Sequence, residues 1–173
     1  AVLTRHDFKR LNIYGISDDR IVVLPNAITF KKMEREGVDL TKRIKENFSI
    51  KPSLKICLYP VRGIQRKNIG EFILLSVLFG RQSAWMITQP PKNPSEIVFY
   101  DQWKKFCKDN KIPVIFEAGE IADIADLLSA ADFCITTSIM EGFGMAFLEP
   151  WLAGVPVIGR NISYITDELK QNG

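Results

Sequence analysis

Apolar runs with the length of β-strands alternate along this chain with longer stretches whose apolar residues recur at helical spacing. From residue 54 onward the order is strand, helix, strand, helix, strand, helix, strand, helix, strand. Strands joined by helices of this length pair in parallel, and a parallel sheet is covered by helices on both faces. The sequence therefore predicts an α/β fold with a Rossmann-like, doubly wound parallel sheet.

The predicted boundaries follow from the apolar runs and from the Pro, Gly and Asn residues that end them. The predicted strands cover residues 20–26, 54–60, 84–89, 113–118, 133–136 and 155–160. The predicted helices cover residues 67–80, 95–110, 121–132 and 145–153, and residues 31–53 have the composition of a charged lead-in helix.

The length of 173 residues is that of one domain with a buried core. No apolar run approaches the roughly 18 residues of a membrane-spanning helix, and charges interrupt residues 1–10, where a secretion signal would be apolar. Cys57, Cys107 and Cys134 stand among apolar neighbours without metal-ligand spacing. We therefore expect buried free thiols and a cytoplasmic location.

The charges are unevenly distributed along the chain. Residues 1–70 hold 15 Lys and Arg and 7 Asp and Glu, a balance of +8, whereas residues 71–173 hold 8 and 13, a balance of −5. A basic half is typical of proteins that bind nucleic acid, phosphate groups or an acidic membrane surface, but lysines scattered over solvated helices produce the same balance. The sequence contains no nucleic-acid-binding motif, so we expect no nucleic-acid partner.

The segment VRGIQRKN, residues 61–68, follows a predicted strand and leads into a predicted helix. It places Arg62, Arg66 and Lys67 around Gly63, which we expect to be flexible. Guanidinium groups and the free N–H groups of a helix start both bind oxyanions, and Asn68 is a suitable N-cap for that helix. The segment is equally consistent with a phosphate site and with a solvated basic loop, and it lacks the P-loop pattern.

The segment EGFGMAFLE, residues 141–149, has a carboxylate at each end. Gly142 and Gly144 permit a tight turn with accessible N–H groups before a predicted helix. If every step from Glu141 to Glu149 were helical, the two residues would be roughly 12 Å apart along the axis. Two such carboxylates are too far apart to act on one bond, but they suit the two ends of a long, hydroxyl-rich ligand.

Glu149 has four apolar neighbours along the chain, Phe147, Leu148, Trp151 and Leu152. These neighbours favour dry surroundings, in which a carboxylate needs a partner. The alternative for Glu141 is an acid on a surface turn, and for Glu149 an acid on a solvated helix face.

The segment EGFGMAFLEPWLAGVPVI resembles the E-x7-E signature of retaining glycosyltransferases with the GT-B architecture, family 4 in particular. VRGIQRKN is similar to that family's Arg-x4-Lys segment, and VVLPNAI is similar to its IPNG junction between two domains. FEAGEIADIADLLSAADFCITTS is similar to the stretch that precedes the family's first Glu. The matches occur in the family's order and cover most of residues 20–165.

The resemblance implies a role for each matching residue. Arg62 and Lys67 would bind the diphosphate of a nucleotide-sugar and stabilise the departing nucleoside diphosphate without a metal. Glu141 would hold the donor sugar's hydroxyls or the phosphate, and Glu149 would accept hydrogen bonds from the ribose hydroxyls. The remaining implied residues are Gly142, Phe143, Gly144 and Met145 in the glycine turn, Gly119, Glu120 and Ile121 around the base, and Thr137 and Ser138 near the phosphates.

Pro150 follows the second Glu where the family usually has Ala, and a proline inside a helix removes a hydrogen bond and kinks the axis. The junction also reads Asn-Ala instead of Asn-Gly. The family has two Rossmann-like domains, so we expect residues 1–20 to be the tail of an N-terminal domain, 21–53 the junction and lead-in helix, and 54–173 the donor-binding domain. The family's catalytic histidine and acceptor site would lie in the other domain, and we expect His6 to be a surface residue.

The resemblance thus implies the donor-binding half of a hexosyltransferase, with a UDP-, GDP- or ADP-sugar as substrate, no cofactor, and little turnover by this chain alone. The acceptor would bind to the other domain, and the full enzyme could contact a membrane surface peripherally. The alternatives are a non-catalytic nucleotide-binding or regulatory Rossmann-like module and another GT-B enzyme, such as a sugar-nucleotide epimerase or a phosphorylase. The dinucleotide fingerprint GxGxxG is absent, so we do not expect a dehydrogenase.

Overall fold

The computed structural model describes residues 1–28 and 37–171, so the first part of the predicted lead-in helix, residues 31–36, lies outside the described residues. The chain forms two compact units. One comprises Lys32–Ile139 and Ala146–Arg160, and the other comprises Ala1–Lys31, Met140–Met145 and Asn161–Gly173. We call the first the sheet unit and the second the small unit.

The sheet unit is built on five parallel strands, β1 (Lys55–Arg62), β2 (Ser83–Gln89), β3 (Val114–Ile115), β4 (Phe133–Thr136) and β5 (Val157–Gly159). Their order across the sheet is β3-β2-β1-β4-β5. The chain therefore steps outward from β1 to β3 and then returns to the other side of β1 to form β4. The predicted doubly wound α/β fold is confirmed, and its direction reverses between β1 and β4.

The α-helices in the described part of the chain are α1 (Arg5–Ile13), α2 (Gly37–Asn47), α3 (Ile69–Phe79), α4 (Pro94–Asp109), α5 (Ile124–Ala130), α6 (Met145–Leu152) and α7 (Ser163–Gln171). Helices α1 and α7 lie in the small unit, and α2 to α5 lie in the sheet unit. Helix α6 belongs to the sheet unit except for its first residue.

The sheet unit has a core on each face of its sheet. In β1, Ile56 and Leu58 belong to the core that also contains buried residues of α2 and α5. Cys57 and Tyr59 belong to the core formed with α3 and α4. Because successive side chains of a strand point to opposite faces, a strand buried on both faces is a continuous apolar run, which is why the sequence located β1 correctly.

The three cysteines are buried free thiols, as predicted. Burial raises the pKa of Cys107 to about 11 and that of Cys134 to about 12, and it also raises the pKa of Cys57. The thiols are therefore protonated at neutral pH, and they serve as small apolar core residues.

The predicted strand 20–26 is wrong. Only Val23 makes a bridge in this stretch, a single parallel pairing with Val2 in the small unit. Val22 and Leu24 are more than half exposed, so apolar composition alone does not make this stretch a strand. The predicted strand 113–118 is reduced to two residues, because β3 is an edge strand that pairs only at Val114 and Ile115.

Helix boundaries also differ from the predictions, most clearly at the start of α5. Helix α5 starts at Ile124 rather than at residue 121, because the Asp123 side chain accepts a hydrogen bond from the Ala125 N–H (2.8 Å) and caps the helix there. Helix α6 continues past Pro150 to Leu152, so the proline does not end it. Helix α7 was not predicted from the sequence.

Gly63 directly follows β1 and is held closely. Its N–H donates to the Gln89 carbonyl oxygen at the end of β2 (2.9 Å), and a Cβ at this position would lie 2.2 Å from the Tyr100 ring of α4. The expected flexibility of Gly63 is therefore wrong: glycine is required here because the aromatic ring approaches the backbone.

We predict that Gly63→Ala lowers the free energy of unfolding by about 1–3 kcal/mol, because the added methyl group overlaps the Tyr100 ring. Urea titration followed by circular dichroism measures this change. Gly80→Ala is the matched control, because its Cβ would make only ordinary contacts 3.7 Å and 3.9 Å from Trp85. Equal stability of the two variants would contradict the role assigned to Gly63.

Candidate functional site

The loops that follow β1 and β4 meet at the carboxyl edge of the sheet. These strands are neighbours, and the strand order reverses between them. In doubly wound sheets, ligands bind in the crevice at this reversal. Arg62 is the last residue of β1, the loop that follows contains Arg66 and Lys67, and the loop after β4 contains Thr137 and Ser138. The predicted phosphate-binding residues of the sheet unit therefore lie at this edge.

The carbonyl oxygen of Lys67 joins the two loops. It accepts hydrogen bonds from the Tyr59 hydroxyl (2.8 Å) and from the Thr137 hydroxyl (3.0 Å). The Thr137 hydroxyl is shared with the carbonyl oxygen of Asn68 (3.0 Å). In addition, the Ile139 N–H donates to the Arg66 carbonyl oxygen (3.0 Å). The backbone that carries Lys67 is thus tied to both neighbouring strands.

A buried chain of hydroxyl groups supports this joint. Because the Tyr59 hydroxyl proton is donated to Lys67, the Ser138 hydroxyl must donate to Tyr59 (2.8 Å), and Thr136 in turn donates to Ser138 (3.2 Å). Thr137 and Ser138 are buried, and their hydroxyls have protein partners. Their side chains therefore hold the loop in place at the edge where the phosphate site is predicted.

The Lys67 side chain is buried, with the residue only 7% exposed. A buried ammonium group needs a nearby negative charge or hydrogen-bond acceptors. Glu149 on α6 supplies a charge: burial raises the pKa of its carboxyl, and the Lys67 ammonium lowers it. Lys67 and Glu149 are 82 positions apart in the sequence, and the fold brings them within electrostatic reach of each other.

Glu149 is half-buried, and its apolar neighbours along the chain differ in exposure. Trp151 is 49% exposed and Leu152 is also exposed, whereas Phe147 is buried. This partial burial raises the pKa of the Glu149 carboxyl.

Asn68 occupies the N-cap position of α3 in the left-handed conformation, with φ of 50°. Its side chain does not cap the helix in the predicted way. The amide instead donates to the Glu71 carboxylate (2.6 Å), which also binds Arg160 after β5 (2.5 Å). This cluster fixes the turn that directly follows Lys67.

The loop predicted to surround the base lies at the ends of β2 and β3. A Cβ on Gly119 would lie 2.9 Å from the Thr88 carbonyl oxygen, so this glycine lets the loop approach β2 closely. Glu120 and Ile121 are exposed, with Ile121 at 60%. Their side chains point to solvent, which is consistent with a loop that contacts a ligand through its backbone.

The segment Glu141–Met145 lies in the small unit, where Glu141 is buried, at 7% exposure. Gly144 has φ of +92°, and a Cβ there would lie 2.5 Å from Ile165 of α7, so glycine is required. Gly142 has open space around it. Helix α6 starts at Met145, as predicted, so Glu141 precedes the helix and the separation of roughly 12 Å for a fully helical segment does not apply.

His6 was predicted to be a surface residue, but it is half-buried. Its ring stacks on Tyr164 of α7, with a centroid distance of 4.3 Å and an interplanar angle of 21°. Both residues belong to the small unit.

Sequence reasoning missed Tyr59, Glu71 and Tyr164. Tyr59 carried a usable signal, because a tyrosine within a fully apolar strand must find a hydrogen-bond partner for its hydroxyl. Glu71 and Tyr164 carried no such signal in the sequence, since a carboxylate in a helix and a tyrosine in a short amphipathic stretch are ordinary surface residues.

Residues 93–173 match the family model described as "Glycosyl transferases group 1". The mannosylglucosyl-3-phosphoglycerate synthase of Petrotoga mobilis is 28% identical in an alignment of 175 positions that covers 96% of this chain and 34% of that protein. The chain thus spans about a third of its curated relative.

Solved structures show the same fold. WaaG, described as a glycosyltransferase involved in lipopolysaccharide biosynthesis, superposes with a TM-score of 0.75 at 15% identity, over 98% of this chain and 46% of WaaG. Alr3699/HepE of Anabaena, solved in complex with UDP-glucose, superposes with a TM-score of 0.76 at 15% identity, over 91% of this chain and 43% of that protein. The sheet and its helices have the Rossmann-like fold found in GT-B glycosyltransferases.

Within residues 1–28 and 37–171, no group of three or more His, Cys, Asp and Glu side chains is arranged to hold a metal ion. No helix in this described part is both long enough and apolar enough to cross a membrane.

We predict that Lys67→Met raises the pKa of Glu149 further, because the variant loses the charge that lowers it while the burial that raises it remains. Carbon-13 NMR titration of the Glu149 carboxyl measures this directly. A raised folded-state pKa gives stability that is present below the unfolded-state value and is lost as the pH rises through the folded-state value. The variant should therefore lose relatively more stability than the wild type between acidic and neutral pH.

Lys55→Met is the matched control, because Lys55 is exposed and begins β1 at the opposite edge of the sheet. It should leave the Glu149 titration unchanged. A Glu149 pKa that is the same in Lys67→Met and in the wild type would refute the electrostatic coupling.

Proposed function

We propose that this chain is the nucleotide-sugar-binding part of a retaining glycosyltransferase of family 4, acting on hexosyl donors. The observation that carries this proposal is the coupling of buried Lys67 to Glu149 at the strand-order reversal, where the loops after β1 and β4 meet. The family match over residues 93–173 and the Petrotoga relative support transferase chemistry.

Lys67 and Glu149 suit adjacent parts of one ligand. In a nucleoside diphosphate the phosphates are anionic and bind a cation, and the neighbouring ribose presents hydroxyls that a carboxylate accepts. Lys67 and Glu149 are near enough for the ammonium to lower the pKa of the carboxyl, as expected for groups that bind neighbouring parts of one ligand. In this proposal Lys67 binds the diphosphate, and Glu149 binds the ribose.

Arg62 completes the phosphate site at the end of β1. Its guanidinium supplies a second fixed positive charge, and the two cations stabilise the nucleoside diphosphate as it leaves the sugar. The rigid attachment of this loop, through Gly63 to β2 and through Lys67 to Tyr59 and Thr137, reduces the reorganisation needed as charge develops. In this proposal the side-chain cations supply the charge stabilisation, and no cofactor takes part.

Glu141 is proposed to bind the hydroxyls of the donor sugar, with the N–H groups of the turn at Phe143, Gly144 and Met145. The loop Gly119–Ile121 is proposed to surround the base through its backbone. A separate domain would bind the acceptor, which fits relatives two to three times as long as this chain. The full enzyme would then act in the cytoplasm or at a membrane surface, and this chain alone would bind donor and turn over little.

We predict that one of UDP, GDP or ADP, or its sugar derivative, raises the Tm of this chain in a thermal-shift panel, because a ligand that binds the native state stabilises it by mass action. Arg62→Ala and Lys67→Ala should each lower the affinity for that ligand about tenfold to a hundredfold, the loss typical of a charged hydrogen bond to phosphate. Lys55→Ala should bind like the wild type.

An absence of any shift with all three nucleotides and their sugars would defeat the proposed function. Binding that survives the loss of Arg62 and Lys67 would instead favour a regulatory module with a different site. If an oligonucleotide raises the Tm and none of the nucleotides does, the result would favour a nucleic-acid-binding protein.

We predict that Glu149→Ala and Glu141→Ala affect different parts of the ligand. Glu149→Ala should lower the affinity for the nucleoside diphosphate itself about tenfold, because the ribose hydroxyls lose their hydrogen-bond acceptor. Glu141→Ala should leave that affinity nearly unchanged and remove the additional affinity conferred by the sugar. Calorimetric titration of the diphosphate and its sugar derivative measures both, and identical profiles for the two variants would disprove the assignment.

A further inference from the structure

One tyrosine hydroxyl holds both backbone groups of Glu141. The Glu141 N–H donates to the Tyr164 hydroxyl oxygen (3.0 Å), and the same hydroxyl donates its proton to the Glu141 carbonyl oxygen (3.0 Å). A hydroxyl is one of the few side-chain groups that both donates and accepts, so it can serve both groups at once. The backbone position of Glu141 is therefore set by a residue 23 positions further along the chain.

The neighbouring residue of α7 holds the other end of the same turn. Ile165 packs against Gly144, where the backbone has φ of +92° and leaves no room for a Cβ. Two consecutive residues at the start of α7 thus contact the first and last residues of the segment Glu141–Gly144. The helix acts as a rigid support for this turn.

The Tyr164 ring has a support of its own. It stacks on His6 of α1, with the rings 4.3 Å apart and nearly parallel. Helix α1 is capped at its start, where the Thr4 hydroxyl accepts a hydrogen bond from the Asp7 N–H (3.1 Å). The stack limits displacement of the Tyr164 ring, and therefore limits the position of its hydroxyl.

We propose that Tyr164 is a positioning residue for Glu141, and that His6 keeps Tyr164 in place. This inference rests on the proposed function, in which the Glu141 carboxylate binds the donor sugar. Hydrogen bonds from sugar hydroxyls to a carboxylate are directional, so a small displacement of the Glu141 backbone weakens them. In this proposal Tyr164 and His6 influence the affinity for the sugar without contacting the ligand themselves.

The first measurement tests the positioning itself and needs no ligand. Tyr164→Phe keeps the ring but removes the hydroxyl that accepts a hydrogen bond from the Glu141 N–H. We expect hydrogen exchange at the Glu141 amide, measured by NMR on this chain, to become on the order of tenfold faster. Tyr14→Phe is the matched control, since Tyr14 is 76% exposed in the same unit, and it should leave this rate unchanged.

The second measurement tests the consequence for the sugar. In Tyr164→Phe we expect the ratio of affinities for the nucleotide-sugar and its nucleoside diphosphate to fall about fivefold to tenfold. The affinity for the diphosphate alone should stay at the wild-type value. A merely structural role would lower the Tm without changing this ratio.

His6 provides a third comparison. His6→Ala removes the stack and should lower the ratio partially, whereas His6→Phe retains an aromatic ring and should restore it. A restored ratio in the phenylalanine variant would assign the effect to the stacked ring rather than to a charge or proton on His6.

The outcomes separate the two proposals. If the wild-type chain binds no nucleotide-sugar, the proposed function fails, and the role of Tyr164 toward the sugar fails with it. If the wild type gains affinity from the sugar and Tyr164→Phe retains that gain, the positioning role is overturned while the proposed function stands. An unchanged exchange rate at Glu141 in Tyr164→Phe would overturn the backbone contact on which the inference depends.

Discussion

The carbonyl oxygen of Lys67 is the point on which the candidate site depends. It accepts hydrogen bonds from Tyr59 in β1 and from Thr137 after β4, so one backbone group joins the ends of the two central strands. The Lys67 side chain leaves the backbone at this fixed point and is itself buried. Loops are usually the mobile part of an α/β domain, and here two of them are joined by buried hydroxyl groups.

The burial of the Lys67 side chain has an electrostatic consequence. A buried lysine is stable only if its charge is compensated, and the Glu149 carboxylate provides part of that compensation. Glu149 is itself partly buried, which raises the pKa of its carboxyl. A partly buried pair of opposite charges contributes less stability than apolar packing of similar volume. In the proposed function, a diphosphate would bind the Lys67 ammonium, and the hydroxyls of a neighbouring diol would donate hydrogen bonds to the Glu149 carboxylate.

The fold was predictable where a local pattern carries the information. Strands β1, β2 and β4 are continuous apolar runs because both faces of the sheet are buried, and all three were located within a few residues. The same reasoning failed at residues 20–26, because an apolar run becomes a strand only when a partner strand lies beside it, and only Val23 finds one. For the site, the motif residues Lys67 and Glu149 could be named from the sequence, but their coupling could not. The buried hydroxyl network that contains Thr137 and Ser138 could not be predicted either.

The sequence alone determined the class of fold and the residues with which a nucleotide site could be built, since hydrophobic periodicity and motif spacing are local properties of the chain. The tertiary structure decided which of those residues meet. Lys67 and Glu149 are 82 positions apart, and only the strand order β3-β2-β1-β4-β5 brings their elements to one edge. The stack of His6 on Tyr164 joins positions near opposite ends of the chain, and it depends on the packing of two helices. Contacts of this range depend on how the elements pack, which no local pattern encodes.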